Sequence, residues 1–271
     1  MTTTRATTIT NAQGFATSHS AARWMSRRMR NGPISATRRG RAPMVLVAAT
    51  LTADNRSVPS LRFEQALWAQ GLARVVGVDE VGMATLAGPV VAAACLVTPD
   101  VRLIRAVRDS KLLTRRQREE LVPEIKARVT RIGIGAASVA EIHLLNIYHA
   151  SHVAMMRALR QIGKYDWVLV DGRRILDPAF APGKHTEIVK GDTKSFAIAA
   201  ASIIAKVTRD RLMEKLASRY PGYGWEHNCG YPTIDHRKAL RELGVTPFHR
   251  QDFGTVRAML LGEQLELDVT A

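Results

Sequence analysis

The chain has 271 residues, with 39 lysines and arginines against 24 aspartates and glutamates, for a net charge of +15. That length suits one large domain with appendages. No apolar run approaches a membrane-spanning helix, and two cysteines, Cys95 and Cys229, are too few for a disulfide framework or a zinc cluster. The basic excess points to a polyanionic partner, nucleic acid ahead of an anionic membrane surface. Free cysteines suit a reducing, cytoplasmic setting.

About half of the net charge lies at the start. Residues 1–60 hold nine arginines and one acid, Asp54, in a Thr-, Ala- and Ser-rich stretch without sustained periodicity. This segment reads as a basic, disordered extension: a nucleic-acid-binding arm or a spurious upstream extension ahead of a transit-like leader. Residues 61–254 then read as one folded domain, and 255–271 as a C-terminal helix and tail.

A short helix near 63–73 is expected to turn Phe63, Leu67 and Trp68 inward and to stop at Gly71. A β-branched run ending at Asp79-Glu80 is the first strand, and Val90 to Val97, after a Gly-containing turn, is the second. Asp109-Ser110-Lys111 lies in a loop. Thr114 and Gln117 form a capping-box pattern for a helix that Pro123 should kink or split. Arg131 to Ala137 alternates as a third strand, and Ser138 with Glu141 caps a long helix to about Ile162.

Trp167 to Val170 is a fourth strand, ending at Asp171-Gly172, and Thr186 to Val189 is a fifth, leading to Asp192. Phe196 to Ala205 is apolar on every side, so it is a helix buried against a sheet, and it turns amphipathic through Lys215. A loop rich in Gly, aromatic and His residues runs to Tyr231, and helices near 235–243 and 255–261 close the chain. Strands alternating with helices make this an α/β protein, a mixed central sheet flanked by helices with a C-terminal helical part.

Three separate strand ends carry acids: Asp79-Glu80, Asp171 and Asp192. The first pair alone is equally readable as a capped strand end with one solvated carboxylate. Four carboxylates at one sheet edge would repel unless cations neutralise them. All-oxygen donors favour Mg2+ or Mn2+, and such ions in a basic protein point to phosphodiester hydrolysis, for which no histidine base is required. Asp210 reads as a structural helix acid. His143, His149 and His152 read as surface or core-edge residues, and His249-Arg250 as packing or a phosphate contact.

VVGVDEVG…LAGPVVAAA, DSK at 109–111, VLVDG at 168–172, VKGDTKS at 189–195, AAASIIAKVTRDRLM at 199–213, YPGYG at 220–224 and GY at 230–231 together resemble ribonuclease HII, the type 2 ribonuclease H family. The resemblance spans roughly Val75 to Phe253. It implies a ribonuclease H-like fold and a monomer that uses Mg2+ or Mn2+ to cleave RNA:DNA hybrids and single ribonucleotides in duplex DNA. The cut would fall on the 5′ side of the ribonucleotide, leaving a 3′-hydroxyl and a 5′-phosphate. It casts Asp79, Glu80, Asp171 and Asp192 as catalytic metal ligands. Gly82, Met83, Ala84, Lys111, Lys194, Ser195 and Tyr231 fall on nucleic-acid-binding positions, with Tyr231 against the ribose.

Two departures bear on substrate reading. Gly82-Met83-Ala84-Thr85 stands where the family usually has Gly-Arg-Gly-Pro, and Cys229 where it usually has Lys. The arginine is lost, and Ala84 reaches fewer backbone angles than glycine. Metal binding is therefore expected to be intact and ribonucleotide recognition weakened or relaxed. The alternative is a catalytically impaired relative that only binds nucleic acid.

Overall fold

In the computed structural model, residues 58–172, 175 and 180–262 are described. The readings for residues 1–57 and for the tail beyond 262 lie outside the described residues. Backbone contacts divide the chain into units 1–44 and 45–271, and the described residues belong to the second.

Five strands form one sheet in the order β3-β2-β1-β4-β5. They are β1 (Val75–Val81), β2 (Val90–Val97), β3 (Arg131–Ala137), β4 (Trp167–Asp171) and β5 (His185–Ile188). β1 and β2 are antiparallel, as are β2 and β3, whereas β1–β4 and β4–β5 are parallel. All eight residues of β2 are buried because helices cover both faces, which is why that strand is continuously apolar.

Helices α1 (Arg62–Trp68) and α2 (Arg115–Arg128), together with the 24-residue α4 (Phe196–Arg219), cover one face around Val75, Cys95, Ile125, Leu169 and Ile203. α3 (Val139–Ile162) covers the other, packing Ala154, Met155 and Ala158 on Val76, Val78 and Ala94. Glycine sets how closely α4 approaches: a Cβ at Gly77 would stand 2.1 Å from the Ala197 carbonyl carbon. The start of α4 therefore lies directly against β1, two residues before the acidic pair. A third cluster around Trp225, Leu240 and Met213 joins α5 (Trp225–Asn228), α6 (Ile234–Leu243) and α7 (Gly254–Leu260) to Leu86 and Ala87.

Four details depart from the sequence reading. α2 runs as one helix through Pro123, whose exposed position leaves the carbonyl it cannot pair on the solvent side. α3 is interrupted at Asn146, with φ 62° and ψ 165°, where a long uniform helix is expected. The loop before Tyr231 contains the short α5. In α1 Phe63 and Leu67 are buried and Trp68 packs half-buried on the same core, as expected, but a carboxylate, Glu64, is buried with them.

Candidate active site

β1 and β4 are parallel neighbours in register through Val78 and Val170, so Asp79 and Asp171 leave the sheet side by side. β5 pairs its Ile188 with Asp171 and leads through Lys190 into the turn Gly191–Thr193 that carries Asp192. Asp79 and Asp192 are buried, and Glu80 and Asp171 are half-buried. The sheet therefore brings together the four acids picked out at three strand ends.

Their electrostatics are unsettled. Burial, then the charges of Glu80 and Asp171, push Asp79 well above the ordinary carboxylate range. Burial, then Asp171, pushes Glu80 up to about 7. Asp171 is raised by burial, and Asp192 by burial and by the Asp171 charge. Lys111 offers partial compensation, its Nζ 3.7 Å from Asp192 Oδ2. Burial opposes the charge on Lys111, but Asp192, Asp109, Asp79 and Asp171 outweigh it and raise its pKa. One ammonium cannot neutralise four acids, and an all-oxygen, electron-rich cluster of this kind suits a hard divalent cation.

Among the described residues no three such side chains converge closely enough to chelate one ion as they stand. Two of the carboxylates are occupied instead by backbone donors: Glu80 N–H gives to Asp79 Oδ1 at 2.8 Å, and Gly191 N–H gives to Asp171 Oδ1 at 2.6 Å.

Several supporting residues escape a reading of the sequence. Ser202, on α4, lowers the Asp79 pKa against the effect of burial, and the Ser110 and Ser202 hydroxyls lie 3.0 Å apart, which ties the turn bearing Lys111 to α4. The LAGPV segment and the Tyr231 loop are joined by backbone: Leu86 N–H gives to the Gly230 carbonyl at 2.8 Å. A Cβ at Gly230, φ 83°, would stand 2.6 Å from the Ala87 carbonyl oxygen, so only glycine fits that approach.

Two fully buried arginines lock this junction. Arg209 gives Nε to the Pro89 carbonyl (3.0 Å), Nη1 to that of Cys229 (2.8 Å) and Nη2 to Thr85 Oγ1 (2.9 Å) and the Ala87 carbonyl (2.9 Å). Arg250 gives Nε and Nη2 to the Gly88 carbonyl and Nη1 to that of Met83. Burial, then the Arg209 charge, lowers Arg250 to about 9, which leaves it charged at neutral pH. Beneath lies a pair of neutral histidines: His236 Nδ1 gives to the Tyr231 carbonyl, Trp225 Nε1 gives to His236 Nε2, and His249 Nε2 lies 3.1 Å from that same atom.

The family profile for ribonuclease HII matches residues 76–256, nearly all of the domain just described. The chain belongs to the ribonuclease HII family. The ribonuclease HII of Thermosynechococcus vestitus is 53% identical over 194 residues, covering 72% of this chain and 90% of its own length. That of Ruegeria pomeroyi is 47% identical over 239 residues, 86% of this chain and 99% of its own. The crystal structure of ribonuclease H2 from Pyrococcus horikoshii is similar with a TM-score of 0.58 and 27% identity, over 69% of this chain and 96% of that one. The fold is thus ribonuclease H-like, and the chain is a divalent-metal-dependent endoribonuclease of the type 2 ribonuclease H class.

The residues that the resemblance casts on nucleic-acid-binding positions divide by exposure. Ala84 and Lys111 are exposed, and Met83, Lys194 and Tyr231 are half-buried. Met83 packs against the apolar cluster under α3, and the Lys194 ammonium gives to the Val189 carbonyl at 2.7 Å. Lys206 Nζ stands 5.4 Å above the Tyr231 ring. Gly82 is buried, and a Cβ there would meet Arg209 Nε at 2.4 Å. Ala84 needs no glycine, since the described non-glycine residues with positive φ are Asn146, Ala181, Lys190 and Cys229.

Ser195 corrects its expected place. It is wholly buried as the cap of α4, its hydroxyl given to Glu64 and accepting from Ile198 N–H, so it does not face a substrate. Asp210 is structural, paired with Lys206 at 2.9 Å and Arg118 at 3.6 Å. His249-Arg250 is packing, not a phosphate contact.

Proposed function

We propose that this chain cuts the RNA strand of RNA:DNA hybrids, and single ribonucleotides in duplex DNA, on the 5′ side of the ribonucleotide to leave a 3′-hydroxyl and a 5′-phosphate. The observation that carries this reading is the junction of four crowded carboxylates with the loop pair bearing Tyr231, in a chain of this family. Asp79, Glu80, Asp171 and Asp192 would hold Mg2+ or Mn2+. Two such ions, when bound, supply charge stabilisation and activation of water for in-line displacement at phosphorus.

The chain's own residues do the rest. The Glu80 amide holds Asp79 in one orientation, and the Gly191 amide holds Asp171. Lys111, exposed at the rim beside Asp192, would meet a phosphate, and Lys194, whose ammonium holds the Val189 carbonyl, would meet a neighbouring one. Tyr231, fixed through its backbone by Asn228 and His236, presents its ring to the ribose, where a 2′-hydroxyl separates RNA from DNA.

Recognition is weakened or relaxed relative to relatives with an arginine at the place of Met83. A thioether packed on apolar neighbours has no donor to give to a 2′-hydroxyl. The enzyme acts as a cytoplasmic monomer, with residues 1–60 as a basic appendage to the catalytic domain; its two free cysteines are both buried.

The test is cleavage of a labelled duplex with one embedded ribonucleotide, in Mg2+ or Mn2+, beside an Asp79→Asn control. Cutting on the 5′ side that vanishes in the control supports the reading. Metal-dependent binding of the duplex without cutting would identify a nucleic-acid-binding member of the family instead. Met83→Arg combined with Ala84→Gly should raise the rate on the single-ribonucleotide substrate several-fold.

A further inference from the structure

Glu64 is a carboxylic acid with no solvent exposure, on a short helix outside the strand ends that carry the acids. Its Oε1 accepts the Ser195 hydroxyl at 2.6 Å and the Ala197 N–H at 2.9 Å, while Oε2 is buried without a hydrogen-bond partner. A half-satisfied acid in an apolar layer is costly, and an apolar side chain of similar size would serve a purely packing role better.

What Glu64 grips is the segment that carries Asp192. Asp192 and Ser195 are three residues apart, and the chain between them is wound tightly: Lys194 and Ser195 N–H both give to the Gly191 carbonyl, and the Thr193 hydroxyl gives to that of Lys190. The residues before α1 reinforce the grip. Ser60 N–H gives to the Lys194 carbonyl and Phe196 N–H to the Ser60 carbonyl, each at 3.0 Å. From Ser60 to Glu64, then, one strap holds the turn from Gly191 to Ala197 at both backbone and side chain.

We infer that Glu64 is a positioning residue for the metal site: through Ser195 and the Ala197 amide it fixes the turn that presents Asp192. The inference rests on Asp192 being a metal ligand. Burial raises the Glu64 pKa. A glutamine keeps the Oε1 acceptor, and leucine removes it at similar volume.

The measurement is Mn2+ affinity of the full chain without substrate, by electron paramagnetic resonance of free Mn2+, with hydrogen exchange of residues 191–198 in the metal-free protein. Glu64→Leu should weaken Mn2+ about 10-fold and raise exchange in that segment, with Glu64→Gln recovering most of the affinity. Ser195→Ala, which keeps the core intact, should weaken Mn2+ about 3-fold and serves where Glu64→Leu does not fold. Unchanged Mn2+ affinity in a folded Glu64→Leu or in Ser195→Ala, while Asp192→Asn loses it, overturns the inference and leaves the metal site standing. Unchanged affinity in Asp192→Asn as well overturns the metal-ligand reading itself.

Discussion

Two buried polar clusters lie next to each other in this enzyme, and they are opposites. Around Arg209 and Arg250 both guanidinium groups give to carbonyl or hydroxyl oxygens, and the histidines beneath are neutral with matched donors and acceptors. Around Asp79 the acids crowd one another, and Lys111 is the cation that faces them. The first cluster is complete without a ligand and holds shape. The second is under electrostatic strain and is complete only with cations. Stability is stored in one so that function can be stored in the other.

Removing one member from each cluster should therefore have opposite consequences. Asp79→Asn is expected to lower cleavage at least ~1,000-fold on the proposal that Asp79 holds the metal. The same change should stabilise the metal-free protein by on the order of 1 kcal/mol, because one of the repelling charges is gone. Calorimetry of the metal-free variant checks this, and a lower melting temperature would contradict the strained-cluster reading. Arg209→Ala should do the reverse. It strands the buried carbonyls of Ala87, Pro89 and Cys229 and should cost about 3 kcal/mol in urea unfolding. Arg209→Lys should recover only part, because an ammonium cannot reproduce a planar fork.

The strained cluster was legible in the sequence and the satisfied one was not. Acids at strand ends are visible because β-branched runs announce strands and parallel strands align their ends; β2 and β3 keep the expected bounds. The capping boxes at Thr114 and Ser138 are local and form as written. Arg209 sits among other charged residues where α4 emerges, and nothing in its neighbours tells that it turns inward. Glu64 lies by helical spacing on the same face as Phe63, Leu67 and Trp68, but a carboxylate is not read as a core residue until its partners, the Ser195 hydroxyl and the Ala197 amide, are seen. Ser195 falls on a nucleic-acid-binding position by resemblance alone, and its burial is set by α1, more than 120 residues away in sequence. The break at Asn146 has no proline or glycine to mark it.

The finest separation of the two clusters is by pH, because their protons pull in opposite directions. The acids have folded-state pKa values above their unfolded ones, Glu80 reaching about 7. Their contribution to stability is present in acid, below the ordinary carboxylate range, and is lost as pH rises toward 7. His249 is lowered to about 3, by burial and then by His236, so its contribution is present above its ordinary 6.5 and is lost as pH falls toward 3. Between pH 4 and 6.5 the two partly cancel, each proton contributing a slope of at most about 1.4 kcal/mol per pH unit. Saturating Mg2+ keeps the acids ionised, so the urea midpoint should then rise with pH across that window. In a metal-free His249→Asn variant, the acids should dominate and the midpoint should fall with pH. Parallel slopes in the two samples would mean that the acids are not crowded in solution, and that the contrast between the clusters is wrong at its strained end.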